Sequence, residues 1–291
     1  MTNPSVSLPS APTAVAHPDT FLAALFSAGG LVLVLWGSKT VAHAGEFWAQ
    51  LGATAAVAFQ LYVPLVVLAR FRIPPEVLGI HFHGALQFPF YAWRRHRLLV
   101  KRKSTTVQQR RRRILDVILA HYGRHVVLDR AGFCAELRLV LKMSVITFLP
   151  FVVGHHFFQV GFAAYHGATV TLSWRLPDGM FSIVVVNLLL VALPEELFYR
   201  GFVLPSLLAR WPNRATLLAI PLGRAVVVSS AIFALGHYIG EFGDPARLGP
   251  FFPSLLFSML AMRSRSIFGA VLYHATCNIF AAILGAWYVM S

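Results

Sequence analysis

The sequence predicts an all-α polytopic membrane protein, a bundle of about seven transmembrane helices (six to eight by the apolar stretches). Three observations predict it. Of 291 residues, 57% are hydrophobic and 12% charged, against roughly 25% charged in soluble domains. The apolar residues gather into stretches of about 20, the length a helix needs to cross a hydrocarbon core. The Lys and Arg residues concentrate between alternate stretches, as orientation in a membrane requires. This composition excludes a disordered chain and a disulfide-stapled secreted module. Cys134 and Cys277 are the two cysteines, too far apart in sequence for a CxxC site.

Residues 1–20 hold no Lys or Arg and are rich in Ser, Pro, Ala and Thr. That predicts a disordered tail rather than a signal peptide, whose first region is basic. Two spans follow, near Phe21–Val41 and Leu51–Ala69, making an N-terminal helical pair over 21–69. Pro74-Pro75 then breaks the chain and opens a basic cytoplasmic loop over 70–142. Within it, Ile114–His121 and Val126–Leu141 read as amphipathic helices lying at the membrane surface. Residues 143–291 carry the remaining spans, near Met143–Ala164, Met180–Arg200, Arg224–Phe242, Leu248–Met262 and Ile267–Met290. The sixth is short for a full crossing. Apolar residues in Gly201–Leu222, interrupted by Trp211-Pro212-Asn213, allow an additional embedded piece.

The net charge is +14, and ten basic residues lie between Arg94 and Arg113 with no acid among them. The run reads as a positive-inside anchor that contacts the bilayer through anionic lipids at 94–113. Nucleic acid is not expected as a partner. With this loop inside, alternation places the N-terminus in the cytoplasm and the C-terminus outside. Arg210, Arg214, Arg263 and Arg265 then also fall inside, while the outer loops hold only Arg175 and Arg247.

An ionisable residue within a span is costly and marks function by default. Pro194-Glu195-Glu196-Leu197-Phe198-Tyr199-Arg200-Gly201 places two carboxylates after a long apolar run. Glu196 and Arg200 are four residues apart, on one helix face within reach of an ion pair. A structural ion pair explains those two residues and leaves Glu195, about 100° away, to face a cavity. Phe233 and His237 share a face at i, i+4, as do His274 and Asn278. The adjacent His155 and His156 cannot face one site together and read as interfacial packing. Depth gives a partial match: on these span limits Glu195 and His274 lie roughly 8 and 10 Å from the inner helix ends, and His237 roughly 20 Å.

A carboxylate, two imidazoles and an amide in one dry pocket suit two chemistries. In one, Glu195 and His237 polarise a water while His274 and Asn278 bind the oxyanion of a tetrahedral intermediate. In the other, Glu195, His237 and His274 hold a divalent metal such as zinc, which activates the water. Both hydrolyse a carbonyl compound inside the membrane. Neither HExxH nor GxSxG is present.

The ordered set EExxxR, FxxxH and HxxxN, each on a hydrophobic stretch, resembles the CPBP family of intramembrane proteases. That family includes the type II CAAX prenyl endopeptidases and bacterial proteins once grouped as abortive-infection proteins. The resemblance spans about Val185 to Trp287. It implies an intramembrane endopeptidase over 143–291, with Glu195 and His237 activating water and His274 and Asn278 as the oxyanion hole. Glu196, Arg200 and Phe233 take supporting places. Members have been described both as metalloproteases and as metal-independent glutamic proteases; the carboxylate–histidine pair favours no tightly bound metal. The expected substrate is a membrane-associated protein or peptide, and the expected location a bacterial inner membrane. A non-catalytic membrane scaffold or chaperone on the same fold is the alternative, ahead of a proton-coupled transporter, because no inverted repeat is visible.

Overall fold

A computed structural model describes residues 18–71, 73, 80, 130–212, 215–217, 220–240 and 244–290. Of the expected disordered tail 1–20, residues 1–17 lie outside the described residues and 18–20 are not tail but the first residues of a helix. The basic run 94–113 and the expected helix Ile114–His121 also lie outside the described residues.

Each of the seven expected spans contains a helix. They are α1 (Pro18–Ala42), α2 (Glu46–Phe71), α3 (Arg130–Tyr165), α4 (Met180–Arg210), α5 (Arg224–Gly240), α6 (Phe251–Ser264) and α7 (Phe268–Trp287). Five of them, α1, α2, α3, α4 and α7, are long and apolar enough to cross a membrane. The expected count of seven is therefore not met at crossing length among the described residues. α5 has 17 residues and α6 has 14, short of the roughly 20 a crossing needs. α6 is short, as its apolar stretch predicts, and a 3₁₀ turn at Pro245–Leu248 takes in Leu248, the expected first residue of the sixth span.

Three further boundaries differ. α3 begins at Arg130 and runs unbroken for 36 residues, so 130–141 is the start of a span and not a separate surface helix. α7 ends at Trp287, and Tyr288–Met290 continues as a strand, β4, paired antiparallel with β1 (Val170–Leu172). This ladder joins the chain just after α3 to the chain just after α7, so these two helices end on the same side of the bundle. α4 does not stop at Arg200 but continues to Arg210. The additional piece after Gly201 is thus the last third of α4, followed by a small hairpin of β2 (Thr216–Leu217) and β3 (Ile220–Pro221).

α4 continues through residues that usually break helices because it changes its winding. Residues 186–192 and 199–203 are π-helical, and each segment is followed two residues later by a proline, Pro194 or Pro205. Leu193 N–H donates to the Leu188 carbonyl and Leu204 N–H to that of Tyr199, both i→i−5. A helical proline lacks its own donor and its ring crowds the carbonyl four residues back. Widening the preceding turn relieves both faults. Gly201 has a separate role: a Cβ there would sit 2.6 Å from Cγ1 of the fully buried Ile80, so Ile80 packs directly on the α4 backbone.

Small residues bring α1 and α2 together. Ser38 Oγ donates to the Gly52 carbonyl at 3.0 Å, and a Cβ on Gly52 would lie 2.7 Å from Ser38 Cβ. Such close approach is how apolar helices associate where lipid competes for every hydrophobic face. The buried core lies around α4, with Phe198, Phe202, Leu204 and Leu207 fully enclosed and joined by Phe233, Phe257 and Tyr273 from α5, α6 and α7. α3 sits at the edge of this core, with Val145, Leu149 and Phe157 turned outward.

Candidate active site

The two π segments isolate one turn and a half of regular helix, Leu193–Phe198, which carries both glutamates. Here the helix is enclosed on most sides. Glu196 and Arg200 have 0% side-chain exposure, and Arg200 Nη1 donates to Glu196 Oε1 at 3.0 Å. The same Oε1 lies 2.8 Å from His274 Nδ1. One carboxylate oxygen thus ties α4 to α7.

Arg200 is held from a third helix. Its Nη2 donates to Ser254 Oγ at 2.6 Å and to the Ser254 carbonyl at 3.2 Å. Its Cζ stands 4.6 Å from the Phe233 ring centroid and 5.0 Å from that of Phe257. A buried guanidinium needs such compensation, because an isolated charge in a low dielectric is costly. Phe233 is the aromatic centre of the site. Its ring also contacts His237 at 4.6 Å and His274 at 5.8 Å between centroids. Phe257 stacks on His274 at 4.6 Å with an interplanar angle of 16°.

Glu195 stands apart from this tied group. Its side chain is 17% exposed, and its Oε2 lies 3.7 Å from His274 Nε2, without a hydrogen-bond partner among the described residues. The two nitrogens of His274 therefore face two different carboxylates. On α5, His237 Nδ1 donates to the Phe233 carbonyl at 3.0 Å. A carbonyl only accepts, so this bond places the proton on Nδ1 and leaves the Nε2 lone pair of the neutral ring available. Asn278 is half-buried one turn beyond His274 and has no hydrogen bond among the described residues.

Glu195, Glu196, Arg200, Phe233, His237 and His274 thus share one connected site, by hydrogen bond, ion pair or ring contact. Asn278 joins it through its place on α7. The helix-end depths are overturned. Glu195 is central in α4, about 22 Å of helix from either end, because α4 extends ten residues past the expected limit. His237 stays 13 residues, about 20 Å, from the start of α5 at Arg224, which matches the distance of Glu195 from the Arg210 end of the longer α4.

Glu195, His237 and His274 do not form a group of three donors placed to hold a metal ion, nor does any other His, Cys, Asp and Glu set among the described residues.

Three contributors are not among the residues singled out from the sequence: Ser254, Ser258 and Tyr199. Ser254 and Ser258 are fully buried on α6, and Ser258 Oγ donates to the Ser254 carbonyl at 2.9 Å. Two serines at i, i+4 on an otherwise apolar helix are the signal that pointed to them. Tyr199 stands at a variable position of the EExxxR motif, directly before Arg200. Its hydroxyl lies 3.1 Å from where a Cβ on Gly236 would be, so the glycine of Phe233-Ala234-Leu235-Gly236-His237 makes room for it.

A carboxylate and imidazole group enclosed among apolar helices defines a class of site suited to hydrolysis within a membrane. Residues 177–280, about a third of the chain, match the family model described as type II CAAX prenyl endopeptidase Rce1-like. The matched stretch contains Glu195, Glu196, Arg200, Phe233, His237, His274 and Asn278. No curated protein and no solved structure matches the chain.

Proposed function

We propose that the protein is an intramembrane endopeptidase that hydrolyses a peptide bond in a membrane-associated protein or peptide. The observation that carries this reading is the division of labour between the adjacent carboxylates. Glu196 is fully enclosed and bonded to Arg200 and His274, whereas Glu195 is partly exposed and faces His274 with an oxygen that has no hydrogen bond among the described residues. A purely structural ion pair has no use for the second carboxylate. The family match over 177–280 and the five crossing-length helices support the same reading.

In the proposed reaction Glu195, assisted by Nε2 of His237, takes a proton from a water molecule. The resulting hydroxide attacks the scissile carbonyl carbon, and the carbonyl π electrons move onto oxygen. The Asn278 amide and the Nε2–H of doubly protonated His274 stabilise that oxyanion. Glu196 holds His274 at Nδ1, and Arg200, Ser254 and Phe233 hold Glu196 in turn. Collapse of the intermediate breaks the C–N bond, with the proton passing from Glu195 to the departing amine. No metal is required by this sequence of steps. The proposed orientation has the N-terminus and the basic run 94–113 in the cytoplasm, against the anionic inner leaflet of a bacterial inner membrane.

The test compares membrane-protein termini in cells carrying wild type or Glu195→Gln at matched level. A new terminus found only with wild type supports proteolysis and names the substrate. Identical termini, with both proteins inserted, reject it in favour of a scaffold.

A further inference from the structure

The N-terminus of α7 is buried: Ser266, Ile267, Gly269 and Ala270 are all enclosed. The first N–H groups of a helix have no partner within it, so a buried start must find acceptors elsewhere. Phe268 N–H donates to Ser266 Oγ at 3.0 Å. Gly269 N–H donates to Glu136 Oε1 at 2.7 Å, across from α3. Glu136 is itself only 3% exposed. A Cβ on residue 269 would sit 2.7 Å from that oxygen and 2.8 Å from Glu136 Cγ, so the carboxylate reaches the backbone because residue 269 is glycine. The Phe133 and Phe268 rings meet beside it at 4.9 Å. An anionic acceptor at a helix N-terminus also opposes the positive end of the helix dipole.

His274 lies five residues beyond Gly269, little more than one turn along the same helix. We infer that Glu136 is a positioning residue for the site: through the Gly269 amide it fixes the axial and rotational setting of α7, and with it His274 and Asn278. The inference rests on the proteolytic reading above. It gives the start of α3 a function that neither the three motifs nor the matched region includes, since residue 136 lies outside 177–280.

The test measures kcat and KM on a substrate whose cleavage Glu195→Gln abolishes, so that failure of the proteolytic reading shows first and separately. In Glu136→Leu, which fills the same space without an acceptor, kcat is expected to fall about ten- to a hundredfold with KM within about twofold. In Glu136→Gln, whose amide oxygen accepts from Gly269, most of that loss is expected to be restored. Gly269→Ala, which fills the carboxylate's place and leaves Glu136 in the chain, should lower kcat to a similar degree. Combined with Glu136→Leu it should cost little more than either alone. Amide exchange over 268–275 should quicken in Glu136→Leu and not in Glu136→Gln. The inference is overturned if kcat in folded Glu136→Leu matches wild type, if Gln and Leu lose equally, or if the paired substitutions multiply. Should Glu136→Leu fail to fold, the Gln and Gly269→Ala variants decide by the same criteria.

Discussion

At the scale of single residues, the site separates groups that react from groups that hold. Glu195→Gln should remove essentially all turnover, and Glu196→Gln should leave a larger remainder at equal protein level, because its amide oxygen can still accept from Arg200 or His274. Equal loss in a quantitative cleavage assay would remove Glu195 from the role of base. Asn278→Ala should lower kcat by about 10²–10³-fold as the loss of an oxyanion donor; a loss of less than a few-fold would exclude it. Arg200→Ala strands Glu196 in an enclosed position and should destabilise the fold by about 3–5 kcal/mol, read as a lowered unfolding midpoint in detergent. Most of the site was legible because charges inside apolar stretches are rare enough to stand out. Ser254 and Glu136 were not. A serine is cheap enough in an apolar helix to pass unnoticed, and Glu136 sits in a segment whose mixed polarity resembles a surface helix.

At the scale of elements, α4 departs furthest from its expected form. The expected span ends at Arg200, and just beyond it stand Gly201 and Pro205, each of which weakens an isolated helix. The neighbouring π segments and the packing of Ile80 against Gly201 carry the helix through. Local signals report what the backbone prefers alone, and here tertiary packing overrules them. Gly201→Ala should therefore destabilise by about 1–3 kcal/mol through the collision with Ile80. Adding Ile80→Ala, which removes the colliding Cγ1, should make the pair less destabilised than the sum of the two changes. Thermal unfolding of the four variants measures this coupling. α5 reads as a full crossing for a related reason: hydropathy marks a buried stretch but does not say whether lipid or protein buries it, whereas the stretch that forms α6 is short in the sequence itself.

At the scale of the whole molecule, the helical class and the order of the helices were readable from composition and charge, whereas the number of crossings was not. Because the proposed reaction uses no metal, exhaustive treatment with a chelator should leave turnover unchanged. Loss on chelation, restored by added zinc, would overturn that mechanism. The α3–α7 pair has a further consequence. Three polar ties follow it in parallel register: Glu136 to Gly269, Thr147 to Tyr273 at 2.7 Å, and His156 to Tyr288 at 3.0 Å. The β1–β4 ladder closes the far end. A helix fastened to one neighbour at its start, middle and finish cannot slide or roll without breaking several bonds together. His274 is thereby carried on a fixed rail. The facing wall is α4, where two π turns with i→i−5 bonds flank the short regular segment that carries Glu195.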